Sequence, residues 1–266
     1  MYIGITEQGD AGVDFSWEDK IRNGHVNGAV LITKKLSDEF NKKVLNLHKD
    51  GFQTIVHSTI TGWGGTEIEP HVPDYNYSVQ MLWKLIESGY PRERCVLRID
   101  PIFPSRNGIA RFKQLIDCIN QTGLLPIRIR ISILDEYKHV KDRFIKSGYH
   151  PMYGMDNLYP GNDQIKMVSE ALIRTSVAYN IKFECCTEKR LVEVTNTEVE
   201  KYGMDKICIE QGCISKADLS VMSLKGMNFA ENMQNRNGCH CISCKKELLD
   251  QKKRCPNGCI YCYWKD

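Results

Sequence analysis

Short aliphatic and β-branched runs alternate with amphipathic stretches along most of this chain. The runs at Tyr2–Thr6, Ala29–Thr33, Thr54–Ile60, Cys95–Asp100, Pro126–Ser132, Ile181–Cys186 and Lys206–Ile209 read as strands. Between them the apolar spacing changes to that of helices. Ser37 caps a helix whose apolar face is Phe40, Val44 and Leu47, ending at Gly51. A second runs from Gly108 to Thr122, with Ile109, Phe112, Leu115, Ile116 and Ile119 on one face and Gly123 as its stop. Asn162 caps a third, which turns Ile165, Val168, Leu172 and Ile173 inward and stops at Asn180. Strands alternating with helices at this spacing imply a parallel sheet with right-handed crossovers. No Gly-rich phosphate fingerprint follows the first strand, so a TIM-like β/α barrel, complete or incomplete, fits this α/β pattern better than a doubly wound sheet. The segment Tyr149–Gly161 breaks the rhythm and reads as a loop able to cover the barrel mouth.

In such a barrel the chemistry gathers at the C-terminal ends of the strands. The residues there are Thr6, Glu7, Thr33, Lys34, Thr59, Thr61, Arg98, Asp100, Ser132, Cys186 and Thr187, a strongly polar ring. Arg98, Asp100 and Lys34 are the catalytic candidates. With the Thr61 hydroxyl they suit the ribose, carboxylate and adenine of a nucleoside cofactor, or a polar substrate. The competing reading makes Arg98 and Asp100 an ion pair that only orders a loop.

Composition is that of an ordinary globular protein, with 266 residues and a net charge of +3, so charge alone does not point to nucleic acid. No segment approaches the roughly 20 apolar residues needed to span a bilayer. The N-terminus lacks a basic start and an apolar run of signal length. Both points favour a cytoplasmic protein that does not enter a membrane. Twelve cysteines in a reducing compartment then point to metal or redox work before disulfides. Cys95, Cys118 and Cys208 sit among apolar neighbours and read as structural thiols. The C-terminal stretch carries Arg236, Lys245, Lys246, Lys252, Lys253, Arg254 and Lys265. That basic run is a solvated face, or it steers a nucleotide or nucleic-acid substrate.

Six of the cysteines fall between Cys239 and Cys262. The last three form Cys255-Pro-Asn-Gly-Cys259-Ile-Tyr-Cys262, the CxxxCxxC spacing with which radical S-adenosylmethionine enzymes hold a [4Fe–4S] cluster. Three thiolates on a short loop each reach one iron and leave the fourth open for the methionine moiety of S-adenosylmethionine. Tyr261, just before the last thiol, is a cofactor-binding candidate. So is Glu67, because Gly64-Gly65-Thr66-Glu67 is similar to the Gly-Gly-Glu stretch that holds the methionine amine in those enzymes, with a turn after a strand as the competing reading of the glycines. In those enzymes, however, the triplet follows the first strand rather than closing the chain. Zinc competes for the same thiols. Cys241-x-x-Cys244, fourteen residues and Cys259-x-x-Cys262 make a zinc-ribbon spacing, which would turn the tail into a structural module binding nucleic acid or a partner.

Several stretches together resemble a bacterial family labelled domain of unknown function 1848, loosely described as radical S-adenosylmethionine-like. They are Leu31–Lys34, Thr59–Gly64 with Glu69–Pro73, Leu97–Pro101, Ser132–Asp135, Glu184–Cys186, Gly212–Cys213, Cys239–Cys241 and the closing Cys255–Tyr263. The family opens with a Ser-Arg-Arg-Thr-Asp-type stretch, of which Thr6–Asp10 keeps only Asp10. The resemblance places Cys186, Cys213, Cys239 and Cys241 on family cysteine positions, while Cys185 and Cys244 are peculiar to this chain. Four such thiolates are enough for a second, fully ligated [4Fe–4S] cluster. The expectation is therefore a barrel over residues 1–230 and a cysteine-rich segment over 231–266 folded onto its mouth. It would carry one or two clusters and bind S-adenosylmethionine. As an enzyme it would draw electrons from a donor such as flavodoxin or ferredoxin.

Overall fold

The computed structural model describes residues 1–227, 241, 244–249 and 255–264. Eight strands are all parallel: β1 (Ile3–Ile5), β2 (Gly28–Thr33), β3 (Thr54–Thr59), β4 (Cys95–Ile102), β5 (Arg128–Ile133), β6 (Phe183–Cys186), β7 (Cys208–Gln211) and β8 (Lys245–Glu247). They lie in one sheet in the order β7-β6-β5-β4-β3-β2-β1-β8. Helices α1 (Trp17–Arg22), α2 (Asp38–Lys49), α3 (Tyr75–Glu87), α4 (Arg106–Gln121), α5 (Lys138–Lys146), α6 (Asn162–Tyr179), α7 (Lys189–Lys201) and α8 (Lys216–Val221) connect them. None is long and apolar enough to cross a membrane among the described residues.

The seven strands read from the sequence all form, with ends shifted by a few residues. Helix α2 starts where Ser37 places it, the serine Oγ accepting from Phe40 N–H at 3.1 Å. Helix α4 begins at the Ser105 cap, slightly before the expected Gly108. In helix α6 the cap falls on Gly161, one residue before the expected Asn162, which is the first helical residue, and Asn180 ends the helix in the left-handed conformation at φ 51°. The eighth strand was not expected. It is three polar residues, Lys-Lys-Glu, and it comes from within the cysteine-rich tail. It pairs with β1 in parallel register, Ile3 against Lys245 and Ile5 against Glu247. Gly4 makes room for it, since a Cβ there would meet the Leu248 side chain at 2.5 Å.

Alternation along the strands sorts side chains onto two faces. One face, with Leu31, Val56, Leu97, Ile129, Ile131 and Phe183, packs under Phe40, Val44, Phe112, Leu115, Val168 and Leu172 of the helices. The other face begins apolar, with Ile3, Ile5, Val30, Ile55 and Val96 closed off by Met222 and Leu224. Further along the strands it turns polar. The register sets Thr59, Arg98, Arg130 and Glu184 side by side on β3 to β6. Polar residues that an outward row would leave in water are thereby buried above an apolar floor.

Among the described residues no ladder joins β7 to β8. The chain beyond β7 nevertheless meets the chain before β8, where Cys213 N–H donates to Cys241 Sγ at 3.0 Å.

The segment Tyr149–Gly161, expected to cover the mouth, lies over its β5 side, where Met152 packs into the cluster of Phe103, Leu134 and Tyr261. The Glu136 carboxylate accepts from Met152 and Tyr153 N–H at 2.7 and 3.0 Å. Lys141, 2% exposed, donates to the carbonyls of Gly154, Met155 and Asn157. A lysine with three carbonyl acceptors loses little by burial, and it pins the loop.

Candidate metal and cofactor site

The C-terminal loop 255–264 sits on the C-terminal ends of the strands. Its anchor is built from three distant parts of the chain. Asp10, following β1, accepts from Gly12 N–H at 2.8 Å, Thr33 Oγ1 at 2.5 Å and Lys34 N–H at 2.9 Å. Its second oxygen also accepts from Asn257 Nδ2 at 2.6 Å, inside the Cys255–Cys259 spacer. The one acidic residue retained from the family's opening stretch thus holds the cysteine loop. Gly258 follows Asn257 at φ +66°, a conformation that favours glycine, with the His71 ring close beside it.

A second anchor joins Lys34, Glu69 and Tyr261. Lys34 Nζ donates to Glu69 Oε1 at 2.9 Å and to Tyr261 Oη at 2.7 Å. Tyr261 Oη also bonds Glu69 Oε1, and Thr61 Oγ1 donates to Glu69 Oε2 at 2.8 Å. Glu69 is 1% exposed, so a buried carboxylate is paired on both oxygens. Burial by itself would lower the Lys34 pKa, but the Glu69 and Cys259 charges beside it hold the ammonium above its ordinary value. Burial, with Glu69 alongside, pushes the Tyr261 phenol well up, so it stays protonated. The Tyr261 ring stands edge-on to Phe103 at 5.6 Å. Beyond it, Arg143 donates to the carbonyls of Cys262 and Trp264, and Trp264 Nε1 donates to Glu7 O at 3.3 Å.

The three thiols of the loop are half-buried and feel one another electrostatically. Burial pushes Cys259 up to about 12, Lys34 partly offsets this, and the neighbouring Glu69, Cys262 and Cys255 charges add to it. Cys255 is raised chiefly by burial as well.

Beside this loop stand the other expected site residues. Arg98 and Asp100 form an ion pair on β4, and Ser132 Oγ of β5 donates to the same carboxylate. Burial would raise the Asp100 pKa, but Arg98, the Ser132 bond and Lys34 outweigh it and keep the group ionised. Arg98 Nε has no partner among the described residues. The ion pair is present, and it lies in the ring rather than apart from it.

A second thiol group assembles around the sheet edges. Cys186 Sγ, at the end of β6, lies 3.8 Å from Cys213 Sγ. The ligand atoms of Glu7, Cys213 and Cys241 all lie within 4.8 Å of one another. Arg130, 1% exposed, holds the Cys213 carbonyl at 3.1 Å while its Nε donates to Glu184 at 3.0 Å. The bond to Cys186 lowers the Cys213 pKa, but the bond from Cys241 and burial outweigh it and push the thiol up to about 12. Cys186, Cys213 and Cys241 are thus brought together as expected, whereas Cys239 lies outside the described residues.

A family model described as Domain of unknown function (DUF1848) matches residues 16–264. The chain belongs to that family. No curated protein matches it. Among solved structures it is similar to the 5-methylcytosine deaminase from Klebsiella pneumoniae liganded with 5-fluorocytosine, at 12% identity over 82% of this chain. The chain spans 59% of that protein's length, and at a TM-score of 0.30 the likeness carries no argument.

For this DUF1848 member two expectations change. Glu67 is exposed and accepts from Tyr149 Oη at 3.2 Å, away from the ring. Glu69, two residues on, is the carboxylate that faces the site. Gly65 lies in a turn, its N–H donating to the carbonyls of Val72 and Glu69 at 2.8 and 3.2 Å, so the glycines shape the loop that delivers Glu69. The ribbon pairing does not assemble either. The Cys244 carbonyl accepts from Ile3 N–H at the start of β1, whereas Cys259 lies beyond the opposite ends of the strands beside Lys34. Cys244 is fully buried in the apolar floor. Cys95 and Cys208 are buried structural thiols, and Cys118 is half-buried beside Asn76. Asn257 and Arg143 were missed because neither carries a motif.

Proposed function

We propose that this chain is an iron–sulfur enzyme of the radical S-adenosylmethionine type, built on a β/α barrel that closes where the two sheet edges meet. The observation that carries the reading is the seating of Cys255, Cys259 and Cys262 on the strand ends by Lys34, Glu69 and Tyr261. A triplet that comes last in the chain thereby reaches the place an early one would occupy. The thiols suit a cationic group. Charging Cys259 without a cation is opposed by burial and by its Glu69, Cys262 and Cys255 neighbours, charging Cys255 chiefly by burial, and iron would supply the missing positive charge.

Cys255, Cys259 and Cys262 would hold a [4Fe–4S] cluster, which when bound supplies the electron that cleaves S-adenosylmethionine. The remaining work falls to the chain. Lys34 offsets the negative charge gathered at Cys259 and Glu69. Thr61 and Tyr261 fix Glu69, leaving the carboxylate no freedom to swing into the thiols. Arg98, with its unpartnered Nε, and the ionised Asp100 offer a cation and an acceptor to a polar ligand. Asp135, pushed up to about 6 by burial and by Asp100, is a carboxyl able to hold or release a proton near neutrality. A nucleotide or nucleic-acid substrate suits the cationic Arg98, and a small electron carrier such as flavodoxin or ferredoxin would serve as donor.

The test is anaerobic incubation of the reconstituted protein with dithionite and S-adenosylmethionine. Release of 5′-deoxyadenosine, even slow and without substrate, is expected. No release, and no cofactor-induced change in the EPR signal of the reduced cluster, would favour an electron carrier or a cluster-bearing binding protein instead.

A further inference from the structure

The second thiol group differs from the first in where its members come from. Cys186 ends β6, and Cys213 lies just beyond β7. Cys241 lies just before β8, and Glu7 just beyond β1. In the order β7-β6-…-β1-β8 these are the two opposite margins of the sheet. They meet where no strand ladder joins β7 to β8 among the described residues.

The spacing there is informative. A tetrahedral ion with metal–sulfur bonds of about 2.3 Å sets its sulfurs about 3.8 Å apart. Cys186 and Cys213 stand at 3.8 Å. In a [4Fe–4S] cluster each thiolate binds a different iron, which spreads the sulfurs well beyond that. Glu7, Cys213 and Cys241 also lie within 4.8 Å of one another, and Cys213 is the member the two sets share. The surroundings are those of ligating groups. Cys241 Sγ accepts a backbone N–H at 3.0 Å, and Glu7 Oε2 is held by Lys245 Nζ at 2.9 Å. Arg130 fixes the Cys213 carbonyl from below. Such outer contacts orient ligands and support negative charge on sulfur.

The geometry points to a single tetrahedral divalent ion of the zinc class on Cys186, Cys213, Cys241 and Glu7, clasping the two edges of the sheet where backbone pairing is absent. A second [4Fe–4S] cluster is replaced by a structural ion in this reading. The inference does not rest on the radical chemistry, since a chain that never cleaves S-adenosylmethionine would still need its seam closed.

The experiment is metal and sulfide analysis of the full-length protein, with Co²⁺ as a spectroscopic probe. Wild type should hold about one zinc beyond its cluster iron. The variant Cys255→Ala/Cys259→Ala/Cys262→Ala should keep that zinc and contain no sulfide. Co²⁺ in this variant should give the intense visible bands of a tetrahedral thiolate site. Cys213→Ser and Cys241→Ser should abolish those bands, Glu7→Gln should weaken Co²⁺ binding about tenfold or more, and Cys244→Ser should leave it unchanged. If the cysteine variants do not fold, the Co²⁺ spectrum of the triple variant still decides. Acid-labile sulfide in the triple variant, or Co²⁺ bands lacking thiolate character, would overturn the single ion. Loss of the ion in Cys239→Ser with retention in Glu7→Gln would overturn the carboxylate as fourth ligand.

Discussion

The two cysteine groups of this protein are made in opposite ways. Cys255, Cys259 and Cys262 lie within eight residues, and the fold contributes only the floor that the loop sits on. Cys186, Cys213 and Cys241 are spread over 56 residues, and Glu7 lies at the other end of the chain. They become neighbours where the chain beyond β7 meets the chain before β8. A ligand set local in sequence can exist before the domain folds, whereas a dispersed one exists only once it has folded. Metal at the first should therefore matter more to activity than to folding, and metal at the second should matter to both.

The comparison is broken most directly by removing the local group. The Cys255→Ala/Cys259→Ala/Cys262→Ala variant should lose all cluster iron, yet unfold cooperatively with a midpoint close to wild type, as followed by circular dichroism. A collapse of the midpoint by more than 10 °C would show that the loop is part of the folding core instead.

A smaller effect tests the floor beneath the loop. Glu69→Ala leaves the mostly buried Lys34 ammonium without its carboxylate, and removing one partner of such a pair costs about 3–5 kcal/mol. The loss should appear in urea denaturation, together with faster cluster loss in air. Restoring an apolar match with Lys34→Met/Glu69→Leu should recover most of the stability. Glu69→Ala at wild-type stability would show that the Lys34–Glu69–Tyr261 anchor does not seat the loop.

The smallest effect concerns the polar row between the two groups. His57 is fully buried on β3, and neither ring nitrogen has a partner among the described residues. Burial, aided by the charges of Arg130, Arg98 and Arg128, holds its pKa well below the ordinary 6.5. As pH falls below about 6.5 the unfolded chain takes up a proton that the native imidazole refuses. Stability therefore drops by about 1.4 kcal/mol per pH unit from this residue, down to its native pKa. Asp135 works the other way, because its native pKa of about 6 exceeds its ordinary 3.8, so it stabilises the fold as pH falls through that range. The difference between His57→Leu and wild type isolates the first effect. That difference should favour the variant and widen from pH 7 to pH 5. A constant difference would mean that His57 is not held neutral.

How much of this was legible in the sequence follows the same division. Seven strands were readable because parallel strands buried on both faces appear as apolar runs, Ala29–Thr33 and Cys95–Ile99 among them. Strand β8 was not, since Lys245-Lys246-Glu247 carries no apolar signal; the apolar residues that follow it, Leu248 and Leu249, are the ones that bury in the core. The CxxxCxxC loop was legible from spacing alone. Glu69 lies in the Glu69–Pro73 stretch, whereas the Gly-Gly-Glu similarity points to Glu67, and the glycines there form the turn that was the competing reading. The direction in which a carboxylate points depends on the fold of the Gly64–Val72 loop, which no local pattern specifies. Asn257 and Arg143 act through single tertiary bonds and leave no trace in composition or periodicity.

Anomalous diffraction from anaerobically grown crystals, recorded on both sides of the iron and zinc edges, tests the two-centre account most directly. The account predicts a cluster-sized iron signal bounded by Cys255, Cys259 and Cys262. It also predicts one zinc-edge peak at Cys186, Cys213, Cys241 and Glu7, with no iron there. An iron cluster at both places, or no iron at the CxxxCxxC loop of a reconstituted protein, would contradict it.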